Sequence, residues 1–203
     1  MAKTKQDKST QVSKTTDSQG GIGRRLLWIL GGVVIFGGAV LIALDVTEPL
    51  PPPPPELEAV QTFPAMNPLH IAAGSPIPVY NSDPPSSGPM DPVPAQCGIY
   101  RQPVSDQAYL HSMEHGAVVV QYDPSASQSE VEELERIARS IRGEIILAPR
   151  PGNPSLVSLV AWTNLLLIDE VNEDVIRGFD REFANRNAPE PAAGCPFQVD
   201  QGA

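Results

Sequence analysis

The sequence predicts an α+β fold, a small sandwich of helices on one mostly antiparallel sheet, preceded by a single transmembrane helix and a proline-rich linker. Three observations lead to this prediction. Residues 26–44 form a run of 19 residues without charge or proline. Prolines fill positions 51–55, and beyond residue 105 short β-branched runs alternate with amphipathic helical patterns. With 203 residues, of which 41% are hydrophobic, the chain can form one packed core beside these appendages.

The apolar run has the length of a membrane span. As a helix it would extend for roughly 28 Å, close to the thickness of a bilayer core. Arg24 and Arg25 precede it and Asp45 follows it, so the N-terminus is expected in the cytoplasm and the remainder outside. A cleaved signal peptide is the alternative, but its apolar region is shorter and ends in a small-residue cleavage site, which is not found after Leu44.

Composition then divides the chain into five segments. We expect a disordered cytoplasmic tail, a transmembrane helix, a proline-rich linker, an extracytoplasmic α+β domain and a C-terminal tail, at residues 1–23, 24–45, 46–63, 64–190 and 191–203. The proline run favours an extended, stiff linker. The formal net charge of −10 argues against nucleic-acid binding, which needs Lys and Arg against the phosphates.

The first half of the domain begins with loops. Residues 64–103 are rich in Pro and Gly and predict loops with one short strand near residues 77–80. Ser105 is expected to cap a short helix through His115 that ends at Gly116. The β-branched residues 117–122 predict a strand, and a capping box at residues 127–130 begins an amphipathic helix that continues to Gly143.

The second half predicts a strand at residues 144–148, a loop, and then one long or two short strands over residues 156–168. A last amphipathic helix follows from Asn172. We expect Trp162 and Phe179 in the core. This element order leaves ferredoxin-like and thioredoxin-like arrangements open.

The histidines are the first candidates for chemistry. His111 and His115 are four residues apart, so on a helix both imidazoles share one face and can bind one metal ion. Met90 and His70 are candidates to complete the ligand set. Imidazole with thioether favours copper over zinc. The alternative is that the histidines and Met113 are structural.

The same segment matches the H-x-x-E-H string of a class of zinc peptidases. That assignment needs a longer helix and a further carboxylate ligand, whereas Gly116 is expected to end this helix. Glu114 is a solvated charge, a partner that orients a histidine, or a general base.

Cys97 and Cys195 both follow the apolar run, where oxidation is permitted, and we expect a disulfide between them. Free thiols, metal ligation by one of them, or attachment to a lipid or another chain are the alternatives. There is no C-x-x-C motif, so a thioredoxin-type redox centre is not supported.

Four ordered motifs identify a resemblance. They are Tyr80-Asn-Ser-Asp-Pro-Pro-Ser-Ser-Gly-Pro-Met90, Gly98-Ile-Tyr100, His111-Ser-Met-Glu-His-Gly116 before a valine strand, and Ala161-Trp162. Over about residues 66–190 the chain resembles the bacterial membrane-anchored family called domain of unknown function 3105. The resemblance implies a place in the bacterial cytoplasmic membrane but no activity.

The resemblance also implies a recurring ligand set. The family's first loop usually ends in Pro-Pro-Thr-Ser-Gly-Pro-His, so Met90 stands where a histidine is usual. The family's other histidines correspond to His70, His111 and His115. Methionine in place of histidine keeps a ligand suited to copper and weakens a zinc site.

The sequence therefore predicts an anchored extracytoplasmic domain that binds or delivers copper or another transition metal. A non-catalytic accessory subunit of a membrane protein complex is the second interpretation. A zinc-dependent hydrolase with Glu114 as its catalytic residue is the third. The sequence favours binding over turnover and leaves enzymatic activity open.

Overall fold

A computed structural model describes residues 52–72, 75–141 and 143–191 of the chain. The predicted cytoplasmic tail and transmembrane helix, and Cys195 in the C-terminal tail, lie outside these described residues. Within the described part, no helix combines the length and the hydropathy that crossing a bilayer requires.

Six strands form one mixed sheet. They are β1 (Gln61–Thr62), β2 (Gly98–Ile99), β3 (Val118–Tyr122), β4 (Ile145–Pro149), β5 (Val157–Ala161) and β6 (Asn164–Ile168), in the spatial order β1-β6-β5-β3-β4-β2. The sheet is mixed rather than purely antiparallel, because β4 runs parallel to both β3 and β2. The pairs β3–β5, β5–β6 and β1–β6 are antiparallel.

Three α-helices pack on this sheet, and each begins where the sequence predicts. They are α1 (Asp106–Glu114), α2 (Gln128–Ser140) and α3 (Glu173–Phe183). The side chains of Ser105, Ser127 and Asn172 each accept a hydrogen bond from a backbone N–H in the first turn. The capping box between Ser127 and Glu130 is present.

The connections explain the strand directions. Helix α2 carries the chain from the end of β3 back to the start of β4, so these two strands are parallel neighbours. A tight turn at residues 162–163, with Thr163 at φ 66°, joins β5 to β6 in antiparallel pairing. The ferredoxin-like arrangement does not apply, because in that fold another strand separates the two strands of the β-α-β unit.

The sheet is covered on both faces. Helices α2 and α3 contribute to one buried cluster with Val118, Val120 and Leu159, whereas α1 contributes to the other with Val119 and Val160. Burial of the central strands on both faces explains the apolar residues 118–120 of β3 and 145–149 of β4. Trp162 and Phe179 are buried in these clusters, as predicted.

The proline-rich part of the domain differs from the sequence prediction in one place. Residues 77–80 form no strand, and Val79 is 90% exposed. The order of this segment comes from individual hydrogen bonds: Tyr80 donates to the Pro89 carbonyl, the Ser87 hydroxyl accepts from the Met66 N–H, and the Ser86 carbonyl accepts from the Thr163 N–H. Such bonds leave no periodic signal in a sequence.

Part of the expected linker packs on the domain. Pro55–Ala59 forms a 3₁₀ helix, and β1 pairs with β6. A Cβ at Gly178 of α3 would lie 2.9 Å from Pro54 and 3.1 Å from Leu57, so the 3₁₀ segment packs closely on this glycine. Residues 54–62 are therefore ordered against the domain.

Gly116 ends α1 and has a conformation that other residues rarely adopt. Its φ is +105°, and a Cβ there would overlap the side chain of Asn185. We expect Gly116→Ala to lower the free energy of unfolding by about 3 kcal/mol, from backbone strain and overpacking together. Urea unfolding followed by circular dichroism measures this change.

Gly152 is the matched control. It has φ +76°, but a Cβ added there would have no atom within 4 Å, so Gly152→Ala should cost only about 1 kcal/mol of backbone strain. Equal costs at the two glycines would show that the contact with Asn185 contributes nothing.

Candidate metal site

Helix α1 presents two buried polar side chains on one face. His111 and Glu114 are three residues apart and are 6% and 5% exposed. The distance from His111 Nε2 to Glu114 Oε2 is 3.9 Å. An imidazole and a carboxylate, both potential metal ligands, therefore meet beneath the surface near the end of this helix.

His70 joins them from the proline-rich segment. It forms an isolated parallel bridge with Met90, where the Met90 N–H donates to the Leu69 carbonyl and the Ile71 N–H donates to the Met90 carbonyl, both at 2.9 Å. This pairing places His70 Nε2 3.6 Å from Glu114 Oε2. The His70 side chain remains 52% exposed, so the group has one side open to solvent.

Together His70, His111 and Glu114 form a group that has the spacing of a metal site. One ligand atom from each residue lies within 4.8 Å of the other two. Ligand atoms around a tetrahedral Zn²⁺ at bond lengths of 2.0–2.1 Å are about 3.3 Å apart. Small side-chain rotations would therefore bring the three atoms onto one ion.

A main-chain carbonyl orients His111. Its Nδ1 lies 2.7 Å from the Asp91 carbonyl oxygen, which can only accept a hydrogen bond, so the proton belongs on Nδ1 and Nε2 is left free to bind a metal. Burial lowers the pKa of His111, and the nearby His115 and His70 lower it further, against the opposing effects of the Asp91 carbonyl and Glu114. The neutral form that a metal requires is thus favoured.

The Asp91 carbonyl is itself held against α1. The Asp91 N–H donates to the Gln107 carbonyl at 3.2 Å, and the Ser105 hydroxyl donates to the Asp91 carboxylate at 3.3 Å. The conspicuous loop before it, from Tyr80 to Met90, thus brings Asp91 to the helix and Met90 to His70. Its contribution to the site is made through the main chain.

The structure brings only two of the four predicted ligands into the three-residue group. His70 and His111 lie together, and the His115 ring packs 4.8 Å from the His111 ring, centroid to centroid, but His115 is outside the three-residue group. Met90 is adjacent to His70 through its backbone, whereas its side chain is fully buried in the apolar cluster under α1. Glu114, considered from sequence as an orienting partner or a base, lies among the ligand atoms instead.

The sequence carried one signal for Glu114. A carboxylate three residues after His111 shares its helical face, but exposed acidic residues at this spacing are common, and only burial distinguishes this one. His70 reaches the same site through its backbone bridge to Met90, and no sequence pattern predicts that bridge.

Cys97 is fully buried in the cluster under α1 and precedes β2 directly. Because Cys195 is outside the described residues, the predicted Cys97–Cys195 disulfide stays a prediction.

Comparison with known proteins identifies the family of this chain. The family model described as "Protein of unknown function (DUF3105)" matches residues 70–196. The chain belongs to this family. The DUF3105 region begins at His70 and includes all three histidines and Glu114, so every residue of the candidate site lies within it. No curated protein and no solved structure matches the chain.

The orientation of His111 is directly measurable. In metal-free protein at pH 7.5, ¹⁵N-detected NMR of the imidazole should show the tautomer protonated at Nδ1, because the Asp91 carbonyl accepts from that atom. Its titration midpoint should lie below 6.5, because burial disfavours the charged ring. A His111→Gln variant assigns the signal. An Nε2–H tautomer would contradict the geometry.

Proposed function

We propose that the domain binds a divalent transition-metal ion through His70, His111 and Glu114, and that the apolar segment at residues 26–44 anchors it to the outer face of a bacterial cytoplasmic membrane. The observation that carries the metal proposal is the convergence of two imidazoles on one buried carboxylate, within 4.8 Å. Two segments distant in the chain supply these side chains.

The burial of Glu114 supports a positive partner at this point. An ionised carboxylate away from water is costly unless a cation or several hydrogen bonds compensate it. The side-chain atoms that face it at 3.6 and 3.9 Å are Nε2 atoms of two histidines. A metal bound by both imidazoles and the carboxylate would supply the missing charge while leaving both rings neutral.

The donor set favours a divalent ion. Two imidazole nitrogens and one carboxylate oxygen suit Zn²⁺, Cu²⁺ or Fe²⁺, whereas Cu⁺ prefers thioether and thiolate sulfur. In the general order of stabilities Cu²⁺ binds more tightly than Zn²⁺. Copper therefore remains our first candidate, as Cu²⁺, and the burial of the Met90 side chain in the apolar cluster argues against a thioether ligand.

Binding and delivery fit the site better than hydrolysis. As a zinc peptidase of the H-x-x-E-H class the chain would use His111 and His115 as ligands and Glu114 as a free general base. Here the Glu114 carboxylate faces the ligand nitrogens of His70 and His111. The exposed side of His70 supplies a route by which an ion can enter or be passed to an acceptor.

The decisive measurement is metal titration of the EDTA-treated full chain in detergent, without a histidine tag. We expect about one equivalent of Zn²⁺ or Cu²⁺, with affinity reduced at least 10-fold in His111→Ala and Glu114→Gln, because each substitution removes one ligand. Calorimetry and elemental analysis give the affinity and the stoichiometry.

Two controls sharpen this titration. Glu132→Gln removes an exposed carboxylate from α2 and should leave the affinity unchanged. Met90→Leu preserves the apolar packing and should also leave it unchanged, whereas a loss would place the thioether in the ligand set. Absence of metal binding in the unsubstituted chain would contradict the proposal and favour an accessory subunit of a membrane complex.

The anchor is tested separately. The chain should remain in the membrane fraction after alkaline carbonate extraction, with its domain digestible from the outer side in spheroplasts. Val34→Arg combined with Ile35→Arg should abolish the retention, because each arginine costs about 3 kcal/mol at the centre of a span. Thr15→Arg with Thr16→Arg, in the tail, should not.

A further inference from the structure

The segment that follows α3 crosses the end of α1 beside the metal site. Residues 184–191, here called the strap, are held by two backbone hydrogen bonds: the Asn185 N–H donates to the Gly116 carbonyl at 3.0 Å, and the Glu190 N–H donates to the Glu114 carbonyl at 2.9 Å. The strap is thus bonded to the main chain of a candidate ligand and of the glycine that ends its helix.

The strap also contacts His115. The Nδ1 atom of this ring lies 3.3 Å from the Glu190 carbonyl oxygen and 4.0 Å from the Glu190 carboxylate. The carbonyl oxygen can only accept, so the proton belongs on Nδ1 and Nε2 is left free. The carboxylate at 4.0 Å is beyond hydrogen-bonding distance. The His115 side chain is 15% exposed and the Glu190 side chain is 66% exposed, so this contact lies at the surface.

His111 and His115 therefore share one arrangement. Each ring directs Nδ1 to a main-chain carbonyl, that of Asp91 for His111 and that of Glu190 for His115. Metal-binding histidines characteristically donate from the second ring nitrogen to a carbonyl or carboxylate, which sets the tautomer and the ring orientation. The two rings are tilted by 40° with centroids 4.8 Å apart, so they are neighbours in space.

We infer that His115 is the fourth protein ligand of the metal and that the strap is the element that positions it. This inference rests on the proposed function. The resulting set of three imidazoles and one carboxylate supplies four ligand atoms, enough for a four-coordinate Zn²⁺ or Cu²⁺. Three of these ligands, residues 111, 114 and 115, lie at the end of α1. The remaining ligand, His70, is the exposed one.

A coupling follows from this arrangement. If the docked strap orients His115, binding of the metal stabilises docking of the strap, and release of the strap weakens binding of the metal by the same factor.

Glu190→Pro tests the role of the strap. It removes the N–H that donates to the Glu114 carbonyl while leaving all four proposed ligands in place. We expect Zn²⁺ affinity of the full chain to fall 10- to 100-fold, the range found when partners of metal ligands are removed. Glu182→Gln removes an exposed carboxylate from α3, outside the strap, and should stay within about threefold of the unsubstituted chain.

His115→Ala and the spectrum of bound Co²⁺ test the ligand itself. Four-coordinate Co²⁺ absorbs strongly in the visible, and loss of His115 should weaken this absorption as solvent enters and the coordination number rises. X-ray absorption at the zinc edge should count three imidazoles in the unsubstituted chain and two in His115→Ala. Both readouts report on the atoms bound to the metal, so a merely structural role of His115 would not change them. They therefore test His115 as a ligand even if Glu190→Pro unfolds the protein.

The outcomes separate the two proposals. Metal bound with two imidazoles, and with affinity and spectrum unchanged in His115→Ala, would overturn the fourth ligand and leave the three-residue site standing. No metal in the unsubstituted chain would overturn the proposed function itself. Loss of affinity in Glu190→Pro with the Co²⁺ spectrum altered supports both the ligand and the strap.

Discussion

The buried carboxylate of Glu114 is the constraint around which the site is arranged. Its neighbours at 3.6 and 3.9 Å are imidazole nitrogens that reach it from two separate segments. Burial of an ionised carboxylate is costly unless a cation or hydrogen bonds compensate its charge. Helix α1 supplies Glu114 and His111, and the proline-rich segment supplies His70, so neither segment forms the site alone.

The sheet provides the rigid base for that enclosure. Helix α1 packs through Tyr109, Leu110 and Met113 on the face of β3 and β5 that α2 and α3 leave free. Gly116 then turns the chain directly into β3, in a backbone conformation that also admits Asn185 of the strap. The position of the histidines is thus fixed by a helix of nine residues joined almost without a loop to a central strand.

Met90 shows how a conspicuous residue can act through its backbone. Its thioether is fully buried among apolar side chains, whereas its N–H and C=O pair with Leu69 and Ile71 and so place His70. The residue that follows, Asp91, orients His111 through its carbonyl. Because these contacts are made by main-chain atoms, a loop rich in Pro and Gly can support a site without contributing a ligand side chain.

The sequence by itself determined the features that depend on interactions within a few residues. The caps at Ser105, Ser127 and Asn172, the helical stop at Gly116, the β-branched strands and the family followed from residue types and short spacings, because caps, turns and periodicity act within a few residues. The tertiary structure alone decided the parallel pairing of β3 with β4, the approach of His70 to Glu114 and the contact of Glu190 with His115. These depend on segments brought together by burial and main-chain hydrogen bonds, which carry no local pattern.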